Sequence, residues 1–589
     1  MKSATIIWIS GPLMRARAET DAAFALYEAV RVGEEGLLGE VIRLDRDEVT
    51  IQVYEDTTGL APGMPVIGTA QPLSVPLGPG MLGGIFDGLL RPLSHLDADF
   101  LPRGLKPDRH DRFRFEPLVA VGDTVLGGHP FARVRNDGVT TQSLQVPPAL
   151  SGRVVELIEP GEYAEETPVM TLEGDDGTRH RLTMIQSWPV RSPRPVKRRQ
   201  TVSRPLITGQ RILDSLFPIG LGSRAAVPGG FGTGKTVLLE ALAKGAAADI
   251  IVFVGCGERG NELTGMLEEF PELTDPRTGG PLMARTVIIA NTSNMSVAAR
   301  EASIYTGVTV AEYFRDQGLD VALMADSTSR WAEALRELSG RLGELPGEGG
   351  YPAYLSSRLA DFYERSGGAT TLCESQGSVT IVGTVSPPSG DFSEPVVTHT
   401  KRYVKSFWAL DTKRAQARIY PAIDPLQSYA EEAEVLNTWW QANGNSQWLV
   451  LRRKVLTLLE EQVRLERMAR IIGKDALAHG QQMRLFSGEL ITNAFLRQSA
   501  FSEIDRYCSP RKQIAMIRLL GLYIDRADRA IDQGVTPKQI IELPITRRLT
   551  RMGEDIPEDR IQELEQLEAE LDNAFAELTQ SQTDPQESA

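Results

Sequence analysis

Gly229-Gly230-Phe231-Gly232-Thr233-Gly234-Lys235-Thr236 is the stretch on which the reading of this 589-residue chain turns. It fits the spacing G-x-x-x-x-G-K-[ST]. It also stands between a short apolar strand pattern, Arg224 to Val227, and a helix pattern, Thr236 to Lys244, the context in which that spacing carries chemistry. Glycines permit the positive φ angles that turn successive backbone N–H groups inward, and the helix N-terminus adds its dipole, so the loop is shaped to cradle a polyphosphate. In such a cradle Lys235 reaches the β- and γ-phosphates, and the Thr236 hydroxyl can ligate Mg²⁺. Gly229, Gly230, Phe231, Gly232, Thr233, Gly234 and Val237 complete the predicted nucleotide-binding set.

Outward from the loop, strand and helix patterns alternate: Asp249 to Val254, Thr286 to Ala290, Val297 to Asp316, Leu319 to Ala325. This is the rhythm of a parallel sheet covered by helices on both faces. The last of these strands runs into Asp326, a carboxylate at the same sheet edge that can hold the magnesium through its water shell. The strand from Asp249 runs into Gly255-Cys256-Gly257-Glu258-Arg259-Gly260-Asn261-Glu262. Hydrolysis needs a group that orients and polarises water, so Glu258 is the candidate for it, with Arg259 as a phosphate contact. A capping or solvated Glu-Arg pair is the competing reading. Cys256 reads as a small packing residue rather than a redox switch.

The chain is too long for one core, since single cores stop growing near ~250 to 300 residues. Around Asp45-Arg46-Asp47-Glu48, the segments Leu38 to Leu44 and Val49 to Val53 alternate as a hairpin, within a small β-domain of roughly residues 1–70. From Phe113 to Trp188 a second Gly-punctuated β module follows. Both resemble the biotinyl/lipoyl-carrier type of fold, but neither has a lysine at a hairpin tip, so a structural bulge is expected rather than a swinging arm. Trp188 to Pro205, with four prolines and six bases, reads as a solvated connection. Beyond Tyr429 long helical runs take over, Trp448 to Ile472 and Lys512 to Asp532. Ile561, Leu564, Leu567, Leu571, Phe575 and Leu578 form one apolar stripe, for packing on its own domain or for a partner helix. The last ten residues lack periodicity and are expected to be disordered.

Lys+Arg 63 against Asp+Glu 78 gives a net charge of −15, which argues against a general nucleic-acid binder. From Glu554 to Ala589 there are twelve acids and one base, Arg560, so eleven of those net charges lie in the tail. No apolar run approaches the ~20 residues that span a bilayer, and Ile6 to Ile9 is too short for a signal-peptide core, so a membrane role must come through partners. Cys256, Cys373 and Cys508 form no CxxC pair, the usage of a reduced cytoplasmic protein.

Further marks are Pro79-Gly80-Met81-Leu82-Gly83-Gly84-Ile85-Phe86-Asp87-Gly88, Trp188-Pro189-Val190-Arg191, Pro205-Leu206-Ile207-Thr208-Gly209-Gln210-Arg211, Gly350-Tyr351-Pro352-Ala353-Tyr354-Leu355 and Asp391-Phe392-Ser393-Glu394-Pro395. With the loop and Gly255 to Glu262, they closely resemble the catalytic A (alpha) subunits of V-type and archaeal-type rotary ATPases, over residues 1 to about 530. The insertion before the loop distinguishes the chain from F-type β subunits and from the shorter flagellar and type III export ATPases, which resemble it only in the nucleotide domain.

The resemblance implies a multidomain α+β protein. Its parts would be an N-terminal β-barrel (residues 1–72), a connecting segment (73–110), a β-rich bulge (111–190), a RecA-like P-loop domain (191–435), a C-terminal helical domain (436–550) and an acidic helical tail (551–589). It implies Mg-ATP hydrolysis or synthesis coupled through rotation to proton or sodium transport, on the cytoplasmic side of a membrane. Three chains would alternate with three non-catalytic B-type subunits, with central and peripheral stalks and a membrane sector beyond. Lys235 and Arg259 would contact the phosphates, Thr236 and Asp326 the Mg²⁺, and Glu258 the water, with Arg330 in a supporting shell. Tyr420, in Ile419 to Leu426, would lie against adenine, with Phe501 or Phe495 as the second wall. Gly230, Thr233 and Ala430 depart from the family's common residues, and the acidic extension after Arg551 has no clear counterpart in it. The alternatives are a non-hydrolysing nucleotide-binding subunit of such a ring, against which the intact Lys235-Thr236 and Glu258 speak, and an RNA-translocating RecA-type hexamer, disfavoured by the acidic balance and by the missing RNA-binding aromatics of this chain.

Overall fold

Alternating apolar residues in the first seventy positions close a barrel. β1 (Ser3–Ser10), β2 (Leu13–Ala18), β3 (Glu28–Val32), β4 (Leu37–Asp45), β5 (Glu48–Val53) and β6 (Pro65–Pro72) pair in the order β1-β2-β5-β4-β3-β6, with β6 returning to β1. Ile6, Met14, Val30, Val41, Ile51 and Val66 fill its interior. The expected hairpin is β4–β5, turning at Arg46-Asp47 with Arg46 at φ +54°. The computed structural model describes residues 2–19, 23–93, 111–135, 141–275 and 279–583, leaving out the side chains of 261–264, 266, 267 and 581–583.

The insertion is two four-stranded antiparallel sheets facing each other across Phe113, Phe115, Phe131, Val154 and Leu172. Residues 111–190 contain no lysine, so a swinging arm has no attachment point. The segment before the insertion is more than a connection. Ser74–Leu77 pairs with Gln186–Pro189, which closes the insertion's two ends together, and Ile85–Phe86 adds an edge to the main sheet. Residues 94–110 of that segment lie outside the described residues.

The main sheet holds β7 (Arg224–Pro228), β8 (Ile250–Glu258), β9 (Thr286–Thr292), β10 (Asp320–Asp326) and β11 (Gln376–Val385), all parallel, in the order β7-β11-β10-β8-β9. Their near-continuous apolar runs reflect burial on both faces. α1 (Lys235–Gly245) follows the phosphate loop, and α2 (Val297–Asp316) is buried along most of its length. After the sheet come α3 (Trp448–Ile472), α4 (Pro510–Asp532), α5 (Pro544–Asp555) and α6 (Glu563–Thr583). The stripe on α6 packs on its own domain: Leu564, Leu567, Leu571 and Phe575 are buried in the core shared with α4 and α5. Three of its acids are partnered there, Glu568 by Arg518, Asp572 by Arg526 and Glu570 by Arg548. The helix runs to Thr583, into the stretch expected to lack structure, and residues 584–589 lie outside the described residues.

The basic segment after Trp188 is solvated only in part: Lys197, Arg198, Arg199 and Arg204 are exposed, but Arg191 and Arg194 are drawn inward. Glu301, Glu312 and Asp316 lie within about 60° of one another on α2 at 100° per residue, and they take the arginines that cross it. Arg191 Nη2 meets Glu301 at 2.7 Å and the barrel's Glu40 at 2.9 Å, between the rings of Tyr27 and Tyr305. Arg194 Nε bonds Asp316 at 2.6 Å, and Arg365 pairs with Glu312. Two of the charges read as solvated are therefore ion-pair partners of buried carboxylates, and one of them, Arg191, joins the barrel to the sheet domain. Arg191→Met leaves two buried carboxylates without their shared cation and is expected to cost about 3–5 kcal/mol. Urea-dependent release of the barrel, followed by limited proteolysis, checks this; a midpoint equal to the parent's contradicts it.

Candidate nucleotide site

β7 ends at Pro228, and the loop turns into α1 through Gly232 (φ +75°) and Gly234 (φ +83°), left-handed backbone that glycine adopts without strain. Gly229 is required for space, because a Cβ there would lie 2.6 Å from the Thr233 hydroxyl. Gly230 has room, its nearest neighbour standing 3.6 Å from an added Cβ, so that departure from the family pattern creates no clash. Buried Thr233 donates its hydroxyl to Gly230 O at 2.8 Å and braces the loop from within. Lys235 Nζ lies over the loop, donating to Gly229 O (2.8 Å) and Gly230 O (2.9 Å).

Thr236 Oγ1 lies 3.2 Å from Asp326 Oδ2, so the two residues expected at a metal meet. The other carboxylate oxygen accepts from Thr384 Oγ1 at 2.5 Å. Thr384 belongs to β11, the strand between β7 and β10, and it fixes the carboxylate's rotation; sequence reading missed it, although a threonine ending an apolar run was visible. Glu258 closes β8, where Gly255 is level with Asp326. Gly257 turns the chain there at φ +71°, with Arg300 Cδ and Arg330 Cβ 2.9 and 3.0 Å from where its Cβ would stand. Arg330 therefore flanks the turn that carries Glu258, and it also pairs with Glu333. Arg259 stands over the ring of Phe231, 5.1 Å from the centroid, with Phe231 82% exposed at the loop tip.

Beside the loop opens a cleft of about 500 Å³, lined by Val237 and Leu238 of α1, Leu410, Tyr420, Gln498 and Phe501. Tyr420 and Phe501 are thus brought together, Phe501 being 90% exposed. Phe495 is fully buried in the helical core and is not among the residues lining this cleft. Glu554, where the acidic stretch begins, also lines the cleft.

Cys256 is fully buried against Arg300 O, and burial pushes its thiol up to about 12. Burial also raises Cys373, but hydrogen bonds with Ser375 and Thr371 outweigh that and hold it below the ordinary thiol range. The thiolate is the reactive form. At pH 7.5 iodoacetamide is therefore expected to label Cys373 first and to reach Cys256 only on unfolding, as read by peptide mass spectrometry. Equal labelling of the two in the folded chain contradicts the packing role.

A Gly-rich loop at the carboxyl edge of a parallel sheet, with a barrel before it and a helical domain after, defines a P-loop nucleotide-binding protein with RecA-like architecture. Family models agree region by region. Residues 6–70 match the ATP synthase alpha/beta family beta-barrel domain, 106–191 the alpha/beta subunit barrel-sandwich domain, 209–430 the alpha/beta family nucleotide-binding domain, and 437–541 the C-terminal domain of V and A type ATP synthase. The A subunit of the A-type ATP synthase of Methanopyrus kandleri is 49% identical over 97% of this chain and 98% of its own. The V-type ATP synthase alpha chain of Halothermothrix orenii is 47% identical over 98% and 99%. The chain belongs to the family of catalytic A (alpha) subunits of A-type and V-type ATP synthases. It is an ATP synthase/ATPase enzyme subunit with ATP and ADP as substrates, and it works within a multi-subunit assembly.

Two expectations change. Alignments over 97–98% of the chain reach well into residues 551–589, so at least part of the acidic extension has counterparts among these relatives. The assembled ATPase EscN of the enteropathogenic E. coli type III secretion system aligns over 88% of this chain and 99% of its own, with TM-score 0.63 and 25% identity. The likeness to export ATPases therefore extends beyond the nucleotide domain.

Proposed function

We propose that this chain carries the hydrolytic chemistry of its assembly, with each step assigned to a group at the sheet's carboxyl edge. The observation that carries the reading is the meeting of Thr236 with Asp326 beside Lys235, on one side of one loop. The polyphosphate lies on the N–H groups of Gly232 to Thr236, and Lys235 exchanges its loop carbonyls for phosphate oxygens. A hydroxyl and a buried carboxylate 3.2 Å apart are hard oxygen donors that suit Mg²⁺. Thr236 and Asp326 would hold it, and when bound it supplies neutralising charge to the phosphate oxygens.

Glu258, at the end of the strand next to β10, orients and polarises the attacking water. Arg259 leaves the Phe231 ring for the phosphates. The base enters the cleft between Tyr420 and Phe501, where stacking on aromatic rings is favourable. The partners this reading calls for are B-type subunits alternating with this chain, stalk subunits, and an ion-conducting membrane sector reached through them. The site would thus stand on the cytoplasmic face, peripheral to the membrane. Among the described residues no helix is long and apolar enough to cross a membrane.

Glu258→Gln keeps the side chain's shape but cannot take up a proton from water. It is expected to bind Mg-ATP normally and to lose about 10²- to 10⁴-fold in turnover. Steady-state hydrolysis by the assembled complex checks it; turnover within threefold of the parent removes Glu258 from the role.

A further inference from the structure

The second wall of the cleft does not belong to the nucleotide domain. Phe501 lies on the segment after the wide turn Thr492–Leu496, in the helical domain. A helix end leaves carbonyls without partners, and this one ends against Arg211, whose side chain is 1% exposed. Arg211 Nε donates to Phe495 O at 2.7 Å, Nη2 to Arg497 O at 2.6 Å and Nη1 to Asp505 Oδ1 at 2.5 Å. Asp505 in turn accepts from Ser499 N through its second oxygen at 2.9 Å. Gln498 locks the same segment from its other side. Its Oε1 accepts from Arg211 N, its Nε2 donates to Gly209 O, and its own N–H donates to Tyr420 O, each at 2.8 Å.

We propose that Arg211, acting with Gln498, is a positioning residue for the base: it fixes the Phe501 wall opposite Tyr420 and so links base affinity to the way the helical domain sits on the nucleotide domain. The chemistry favours arginine. A rigid planar fork can serve two carbonyls and a carboxylate at once, whereas a lysine ammonium keeps the charge but not that geometry. The acidic tail reaches the same point, since a Cβ at Gly553 would stand 3.1 Å from Asp505 Oδ1 and 3.2 Å from Arg211 Nη1. This inference rests on the proposed reading of the cleft as the base site.

Inorganic tripolyphosphate engages the loop and not the cleft, so its affinity separates positioning of the base from general damage. Arg211→Lys retains a cation for Asp505, and Gln498→Leu leaves the arginine–aspartate pair intact. In calorimetry on the full-length chain with Mg²⁺, both variants are expected to weaken ATP by fivefold or more and to leave tripolyphosphate within twofold. An unchanged ratio of the two affinities, whether both fall or neither does, overturns the proposal. Should Arg211→Lys fail to fold, Gln498→Leu decides alone. Phe501→Ala separates the two claims: if it shifts the ratio while the clamp variants do not, the clamp fails and the cleft stands, and if it too leaves the ratio unchanged, the cleft reading itself fails.

Discussion

The groups assigned to phosphate, metal and water share one edge of one parallel sheet, and that shared edge is the constraint on which the site depends. β7 delivers the loop, β10 delivers Asp326 and β8 delivers Glu258. A strand of about seven residues spans on the order of 20 Å, so reversing any one of the three would carry its group to the far side of the molecule. The order of strands adds a second condition. Because β11 separates β7 from β10, Thr384 stands beside Asp326 and holds one of its oxygens while the other faces Thr236.

The flanking domains are joined to this sheet by buried charge rather than by apolar contact alone. α2 presents Glu301, Glu312 and Asp316 to arginines from two stretches of chain, and Arg191 extends the network to the barrel through Glu40. On the opposite side, Arg211 and Asp505 make the corresponding junction with the helical domain. Such pairs give little net stability over apolar packing, but losing one partner is costly. They therefore set where each domain sits, which matters in a protein whose cleft beside the phosphate loop is lined by two of them.

Legibility in the sequence followed distance along the chain. The phosphate loop, Asp326 and the Gly255–Glu262 turn are each contiguous with a strand, so local pattern placed them, and strand ends were off by only a few residues. The helix Val297–Asp316 was placed end to end because its composition changes sharply on both sides. Of the bases after Trp188, Arg191 was misread because its partners lie more than a hundred residues away, 151 for Glu40 and 110 for Glu301. For the same reason Arg211, although it ends one of the stretches that carry the resemblance, was given no role of its own: its carboxylate partner is 294 residues downstream. The choice between Phe495 and Phe501 rests on which side of a helix end faces the core, and no residue pattern encodes that.

The central claim is that this chain holds the catalytic groups but not all the positive charge that phosphoryl transfer calls for. In the proposed reading Arg259 would act in cis, and the charge that builds on the γ-phosphate oxygens would be met by an arginine of a neighbouring B-type subunit, an effect worth ~10³ to 10⁵ in rate. Steady-state ATP hydrolysis by the full-length chain, alone and reconstituted with that B-type partner, tests this directly. The expected result is Mg-ATP binding with very slow turnover alone, and a rise of about a hundredfold or more on reconstitution with little change in affinity. Full activity from the isolated chain would contradict the account.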